Sequence, residues 1–328
     1  MFYISRFKDI EKKEYEFEVV TPLFLGGADP QKAELRAPPI KAALRFWWRA
    51  TANLDDLGDM AKREGDIFGS TEEASALRVI VEDQGLVPTQ RDLPRGKMYP
   101  VTSKGRTFPI SIIEYLAFGL FDPGRRTERY LRNYFDVGKR FKISVSFPQR
   151  MEEEILRALS LMASFGGLGS RSRNGFGSLH CPDLADSSLP RRGALRPFTA
   201  FSDKAQLFNA FPPQAQWQDA LSAIGLAYRE ARLKLERRHE WDRRALIAMP
   251  IESKSERNIP LHIRQGRHAK PYFLHVNKTT DGQYQGQILF LPYLYRSGPT
   301  DTSHRLDAYL KACHDMNEEI RRHMGGVA

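Results

Sequence analysis

"TPLFLGGADPQKAELRAPPIKAALRFWWRA", Thr21 to Ala50, joins an extended apolar segment, a glycine turn, a proline-punctuated loop and a helix. Strand-like residues from Tyr15 to Val20 lead into it, Gly26 and Gly27 free the backbone, and Pro38-Pro39 fix the chain just before helical spacing begins at Ile40. In that helix Lys41, Arg45 and Arg49 recur at i, i+4 and i+8, while Ala43, Leu44, Trp47 and Ala50 take the opposite side. A solvated basic edge satisfies this pattern. A binding face fits it better, because no acidic residue between Arg36 and Ala52 pairs the cations along the helix. A helix start at Pro39 to Lys41 also offers backbone N–H groups beside a lysine, as a phosphate requires. Trp47 is expected in the core, and Trp48 is open between core and base stacking.

Downstream, a second helix is expected from Asp55 to Gly65, closed by "DIFGS" at Asp66 to Ser70, and then a strand from Leu77 to Val81. Gln84 to Thr107 is long and rich in Gly, Pro and cations: Arg91, Arg95, Lys97, Lys104 and Arg106 face only Asp92. It is either a functional excursion that touches RNA or a concealed hairpin. Phe108 to Phe121 is apolar, and Gly124 to Phe135 reads as a surface segment with aromatic contacts to the core. Phe141 to Phe147 alternates as a half-buried strand. Glu152 to Ser164 is a helix with Ile155, Leu156, Leu159 and Met162 on one side and three glutamates in its first turn. The resulting order is β-α-β-β-α-β, an α+β, ferredoxin-like (RRM-like) unit.

That helix ends in "SFGGLGSRSRNGFGSLH", Ser164 to His180, where Gly166, Gly167, Gly169, Gly175 and Gly177 mix with Ser170, Arg171, Ser172, Arg173 and Asn174. No GxxxxGK[ST] spacing exists, and "RNGFGSL" only brushes the RNP1 pattern. The stretch is either a flexible surface loop or a place where glycines let the backbone approach a sugar-phosphate chain that Arg171 and Arg173 neutralise.

Pro182 to Pro197 reads as a linker between a domain at 1–181 and another at 198–328. The second half is expected to hold a helix from Gln214 to Trp241, strands at Ala245–Ile251, Tyr272–Val276 and Gln285–Leu291, and a last helix from Ser303 to Met324, a more degenerate ferredoxin-like unit. The cations between Arg229 and Arg244 are expected to pair within their helix, and "IPLHIRQGRH" (Ile259 to His268) presents Arg264 and Arg267.

The chain's 328 residues, 41% hydrophobic and 27% charged, suit two ordinary folded domains. Fifty Lys and Arg against 40 Asp and Glu give net +10, the balance of a protein that meets polyanions. Cys181 and Cys313 are the two cysteines, without CxxC spacing, which argues against disulfides and a cysteine zinc site. The N-terminus lacks an apolar h-region and no long apolar run occurs, so a cytoplasmic protein without a membrane span is expected.

"TPLFLGGAD", "IKAALRFWWRA", "DIFGS", "GGLGSRSRNGFGSL" and the late "IPLHIR" with "ILFLP" together resemble the RAMP superfamily of CRISPR proteins, more narrowly the first RAMP subunit of type III-B (Cmr) effector complexes. The resemblance implies two ferredoxin-like domains, RNA bound without cleavage, no cofactor, and guide RNA, target RNA and other Cmr subunits as partners. Carried over, the family's phosphate-contacting helix start falls on Ile40, Lys41 and Arg45 and its glycine loop on Gly166 to Gly177. Pro39 and Ala42 depart from the family's Ser and Gly, so backbone amides and Lys41 carry more of the contact. The candidate RNA contacts are then Arg36, Lys41, Arg45, Arg49, Gly166, Gly167, Gly169, Ser170, Arg171, Arg173 and Asn174.

Catalytic residues are not expected. None of the eight histidines lies in the opening stretch, His180 alone borders the glycine loop, and His262, His268 and His275 lack metal-ligand spacing. Asp29 reads as a turn residue. The alternatives left open are a metal-independent endoribonuclease that processes guide precursors, with His180 in its site, and a scaffold whose basic face meets an acidic protein.

Overall fold

The computed structural model describes residues 9–29, 31–52, 54, 56–83, 85–103, 105–126, 129–184, 188–190, 193–237, 239–251, 259–295 and 304–324. Asp55, Gln84, Lys104 and Ser303, named above, lie outside them, as do parts of the 182–197 linker. In chain order the elements are β1 (Ile10–Val19), α1 (Ala37–Thr51), α2 (Leu57–Phe68), β2 (Arg78–Asp83), β3 (Met98–Ser103), β4 (Arg106–Ser111), α3 (Ile112–Leu116), β5 (Arg140–Pro148), α4 (Glu152–Phe165), β6 (Leu179–His180), β7 (Gln206–Phe208), α5 (Trp217–Leu233), α6 (Asp242–Ile247), α7 (Leu261–Gln265), β8 (Tyr272–Lys278), β9 (Tyr284–Phe290) and α8 (His304–Met324). Helices and antiparallel sheets make up two compact units, one of 1–92 with 119–188, the other of 93–118 with 189–328.

The first unit is built on an antiparallel sheet in the order β2-β5-β1-β6. Alternation along β5 does what it should: Phe141, Ile143, Val145 and Phe147 are fully buried, each contributing about 1.5–3 kcal/mol, and Phe17 of β1 stacks on Phe141 at 5.7 Å. Helix α1 packs on α4 and on β2. It starts at Ala37, earlier than the expected Ile40, so Pro38 and Pro39 stand in its first turn, where no N–H is required. Helix α2 is capped by Asp56, whose carboxylate accepts from Gly58 and Asp59 N–H. It runs past the expected Gly65, because Ile67 and Phe68 are buried, and stops at Gly69 with φ +86°.

The second unit departs further from expectation. The stretch 84–107 does hold a hairpin, β3 paired with β4, and residues 93–118 belong to this unit, not to the first. Lys97 N–H donates to Ser222 Oγ at 3.1 Å, the Arg229 guanidinium lies 3.7 Å from the Tyr99 ring centre, and Gly225 leaves room for Leu116, so α5 receives the hairpin and α3 along one side. Helix α5 ends at Leu233, not Trp241, and the expected strand Ala245–Ile251 is not formed: its first three residues are the end of α6 and Met249 makes only an isolated bridge to His268. Glu236 decides this: its carboxylate accepts from Arg243 and Arg244 N–H at 2.8 and 2.9 Å and starts a new helix. The cations of this region pair across elements more than within a helix: Arg243 with Asp315, Lys234 with Glu319, and Arg244 with Glu236 beyond the helix end. β7, β9 and β8 form an antiparallel sheet, with α8 docked through Tyr272, whose hydroxyl donates to Asn317 Oδ1 at 2.8 Å.

Candidate functional site

A groove of about 640 Å³ runs between the start of α1 and the start of β2, lined by Lys41, Arg45 and Arg78 over an apolar floor that includes Pro38, Ala42 and Val79. Among the described residues no carboxylate lines it. Among the described residues Lys41 has no ion-pair partner, and burial first, then the neighbouring Arg45, hold its ammonium below the usual lysine pKa. Arg45 is different. Its Nη2 donates to Gly69 O at 2.8 Å and its Nε lies 3.3 Å from Glu64, which also meets Arg49 at 3.5 Å. The counter-charge absent along the helix is supplied by α2. The amides are also fewer than expected, because Pro38 and Pro39 remove two of the first-turn donors. Arg36 occupies the N-cap without a side-chain cap bond, its Nε buried and, among the described residues, without a hydrogen-bond partner.

Residues 166–178 wrap the extended segment Thr21–Leu25. Ser170 N–H donates to Phe24 O at 2.8 Å, Gly177 N–H to Pro22 O at 3.0 Å, and the buried Thr21 hydroxyl donates to Gly175 O while accepting from Ser178 N–H. The glycines serve this packing. A Cβ on Gly169 would stand 2.3 Å from Phe24 O, one on Gly177 2.1 Å from Leu168 O, and one on Gly166 2.5 Å from Trp47 Nε1. Gly167 faces the carbonyls of Phe176 and Gly177. The close approach that glycine permits here is to the protein's own backbone. The polar residues stay outside it: Arg171 is exposed in left-handed conformation with φ +62°, Ser170 and Asn174 are half-buried, and the Arg173 guanidinium sits 5.3 Å from the Phe46 ring centre on α1. Residues 166–178 thus touch α1 at Trp47 and Phe46, while the groove lies around Lys41.

Residues 16–180 match the family model of the RAMP superfamily. The chain belongs to the RAMP superfamily. This RAMP protein is 30% identical over 192 residues to the CRISPR system Cmr subunit Cmr1-2 of Pyrococcus furiosus, covering 53% of the chain and 97% of that relative. It is 26% identical over 200 residues to Cmr1-1 of the same organism, covering 58% of the chain and 54% of that relative. The crystal structure of apo Cmr1 from Pyrococcus furiosus aligns with a TM-score of 0.52 at 20% identity, over 91% of this chain and 92% of that one, a likeness of fold.

Elsewhere in the RAMP protein the candidate aromatics are structural. Trp47 and Trp48 are each 2% exposed, and Trp48 Nε1 donates to Glu154 at 2.7 Å, which removes it from base stacking. His180 pairs with Glu18 in the β1–β6 register, and His268 is held between Tyr293 and the Ala245 carbonyl. Asp29 accepts from Gln31 N–H as a turn residue. Among the described residues no group of three His, Cys, Asp or Glu gathers as a metal site, and no helix is long and apolar enough to cross a membrane. Sequence reading missed Arg78, which opens a strand and lines the groove. Its signal was available, a cation beginning a β-branched run, but nothing in the spacing tied it to Lys41.

Proposed function

We propose that this protein is the RNA-binding, non-catalytic Cmr1-type subunit of a type III-B CRISPR effector complex, with guide or target RNA and neighbouring Cmr subunits as partners. In this reading both units are ferredoxin-like, the first by its strand order and the second in a reduced form with β7, β9 and β8. The observation that carries the reading is the groove with no carboxylate among its described lining residues, whose Arg45 is paired from behind by Glu64 and whose partly buried Lys41 has no ion-pair partner among the described residues. A desolvated, uncompensated ammonium is stabilised by an incoming phosphate more than a solvated one is. The relatives are named as Cmr subunits, which supplies the complex.

Contacts of this kind release counterions, so binding of single-stranded RNA should weaken steeply with salt and depend little on sequence. Lys41→Ala with Arg45→Ala should lower affinity at least about tenfold and flatten the slope of log affinity against log salt by about 0.7 per lost phosphate contact. RNA affinity indifferent to salt, or unchanged in that pair of substitutions, refutes the mechanism. Incubation with a repeat-containing RNA in chelator should leave it intact; specific cleavage lost in His180→Ala would assign the endoribonuclease activity instead.

A pH profile gives an independent check. Lys41 loses its proton at lower pH than an ordinary lysine in the free protein, and a bound phosphate restores it. Affinity is therefore complete below the lowered value and declines as pH rises through it. Lys41→Arg should abolish that early decline in a fluorescence-anisotropy titration run from neutral to alkaline pH.

A further inference from the structure

Phe24 anchors two segments far apart in sequence. Its ring centre lies 5.7 Å from Tyr130, 5.0 Å from Tyr134 and 5.7 Å from Phe176, all buried. Between the two tyrosines the chain bends at Leu131–Arg132, and the Arg132 guanidinium reaches residues 166–178, where its Nη1 donates to Ser170 Oγ at 3.1 Å. Among the described residues that hydroxyl is its hydrogen-bond partner and no carboxylate pairs with it. Neighbouring arginines are compensated: Arg129 by Asp92 at 3.7 Å, Arg91 by Asp136 at 3.4 Å, Arg125 by Asp122 at 4.0 Å. A serine hydroxyl engages one of five guanidinium donors and none of the charge. No acidic residue occurs from Ser164 to His180 to supply the rest. Arg171 follows Ser170 directly, and its Nη2 lies 2.9 Å from where a Cβ on Gly119 would stand, so glycine at 119, with φ +88°, makes the space for that guanidinium.

We infer that Arg132, aimed by Ser170 and accompanied by Arg171, seats a backbone phosphate of single-stranded RNA, and that Arg132 is a binding residue of this protein. The inference rests on the RNA-binding reading above and adds a contact outside α1 and outside the glycine-rich stretch. The free donors of the guanidinium form the planar fork that matches the two non-bridging phosphate oxygens, and the serine hydroxyl, which accepts from Arg132, can donate to one of the same two.

Arg132→Gln tests it, because glutamine still donates to Ser170 but carries no charge. In the whole 328-residue chain with a short single-stranded RNA, affinity should drop about tenfold and the salt slope should flatten by about 0.7. Arg132→Lys should restore the slope and only part of the affinity, since the point charge returns without the fork. Thermal melting of each variant, expected to match the wild type within a few degrees, separates binding from folding. If the wild type binds RNA with a steep salt slope and Arg132→Gln equals it, the Arg132 seat is wrong and the RNA-binding reading stands. If the wild type shows no salt-dependent RNA binding, both fall.

Discussion

Gly177→Ala should cost about 3 kcal/mol or more of stability, seen as a lowered urea midpoint when unfolding is followed by the fluorescence of Trp47 and Trp48. Two penalties coincide at this position. The backbone is left-handed at φ +66°, which an L side chain resists, and the new Cβ would stand 2.1 Å from Leu168 O and 3.0 Å from Leu23 Cδ1. Backbone cannot swing aside as a side-chain end can. Relief therefore means separating residues 166–178 from Thr21–Leu25, with loss of the Gly177 N–H bond to Pro22 O and the Thr21 bridge. Gly138→Ala is the control: its φ is +80° but nothing lies within 4 Å of the added methyl, so only the conformational cost of about 1 kcal/mol remains. Equal losses in the two variants would show that 166–178 yields easily and does not brace the first unit.

Glu236→Ala should destabilise the second unit by about 3–5 kcal/mol. The Arg244 and Glu236 side chains are 9% and 5% exposed, and the carboxylate accepts from Arg244 Nε at 3.0 Å as well as from two backbone N–H groups at the start of α6. Removing it strands a buried guanidinium on the Arg237 carbonyl and the Trp241 ring, 4.6 Å away, and uncaps the helix. Desolvation of the orphaned charge dominates, so Glu236→Ala with Arg244→Met should recover most of the loss, whereas two unrelated substitutions would add. Urea unfolding of the two single variants and the pair measures the coupling; additivity would reject the account.

The elements legible in sequence are those whose burial follows from their own period. Phe141, Ile143, Val145 and Phe147 alternate and all are buried, with Ser144 buried beside them; in Glu152–Phe165 the residues Ile155, Leu159 and Met162 keep helical spacing and face the core, while Leu156 is half-buried. The β3–β4 hairpin was obscured because Pro100 and Pro109 stand in both strands, opposite one another, where prolines normally argue against pairing. The end of helix α6 falls in the expected strand Ala245–Ile251, because the start of this helix is set by Glu236, six residues upstream of Asp242, and by no capping residue at its own N-terminus.

For the candidate site, the sequence by itself determined the basic helix face, the glycine-rich stretch and the family to which both belong. Only the tertiary structure decided which charges remain uncompensated. Glu64, on a separate helix, pairs with Arg45 and Arg49 and offsets one of their two charges, while among the described residues Lys41 meets no carboxylate and Arg132 only a hydroxyl. Glycine density likewise announced a close approach, and the fold filled that space with the Phe24 and Leu168 carbonyls. The reason is physical: periodicity reports which face of an element turns inward, but pairing and clashes depend on distances between elements, and no spacing along the chain encodes those.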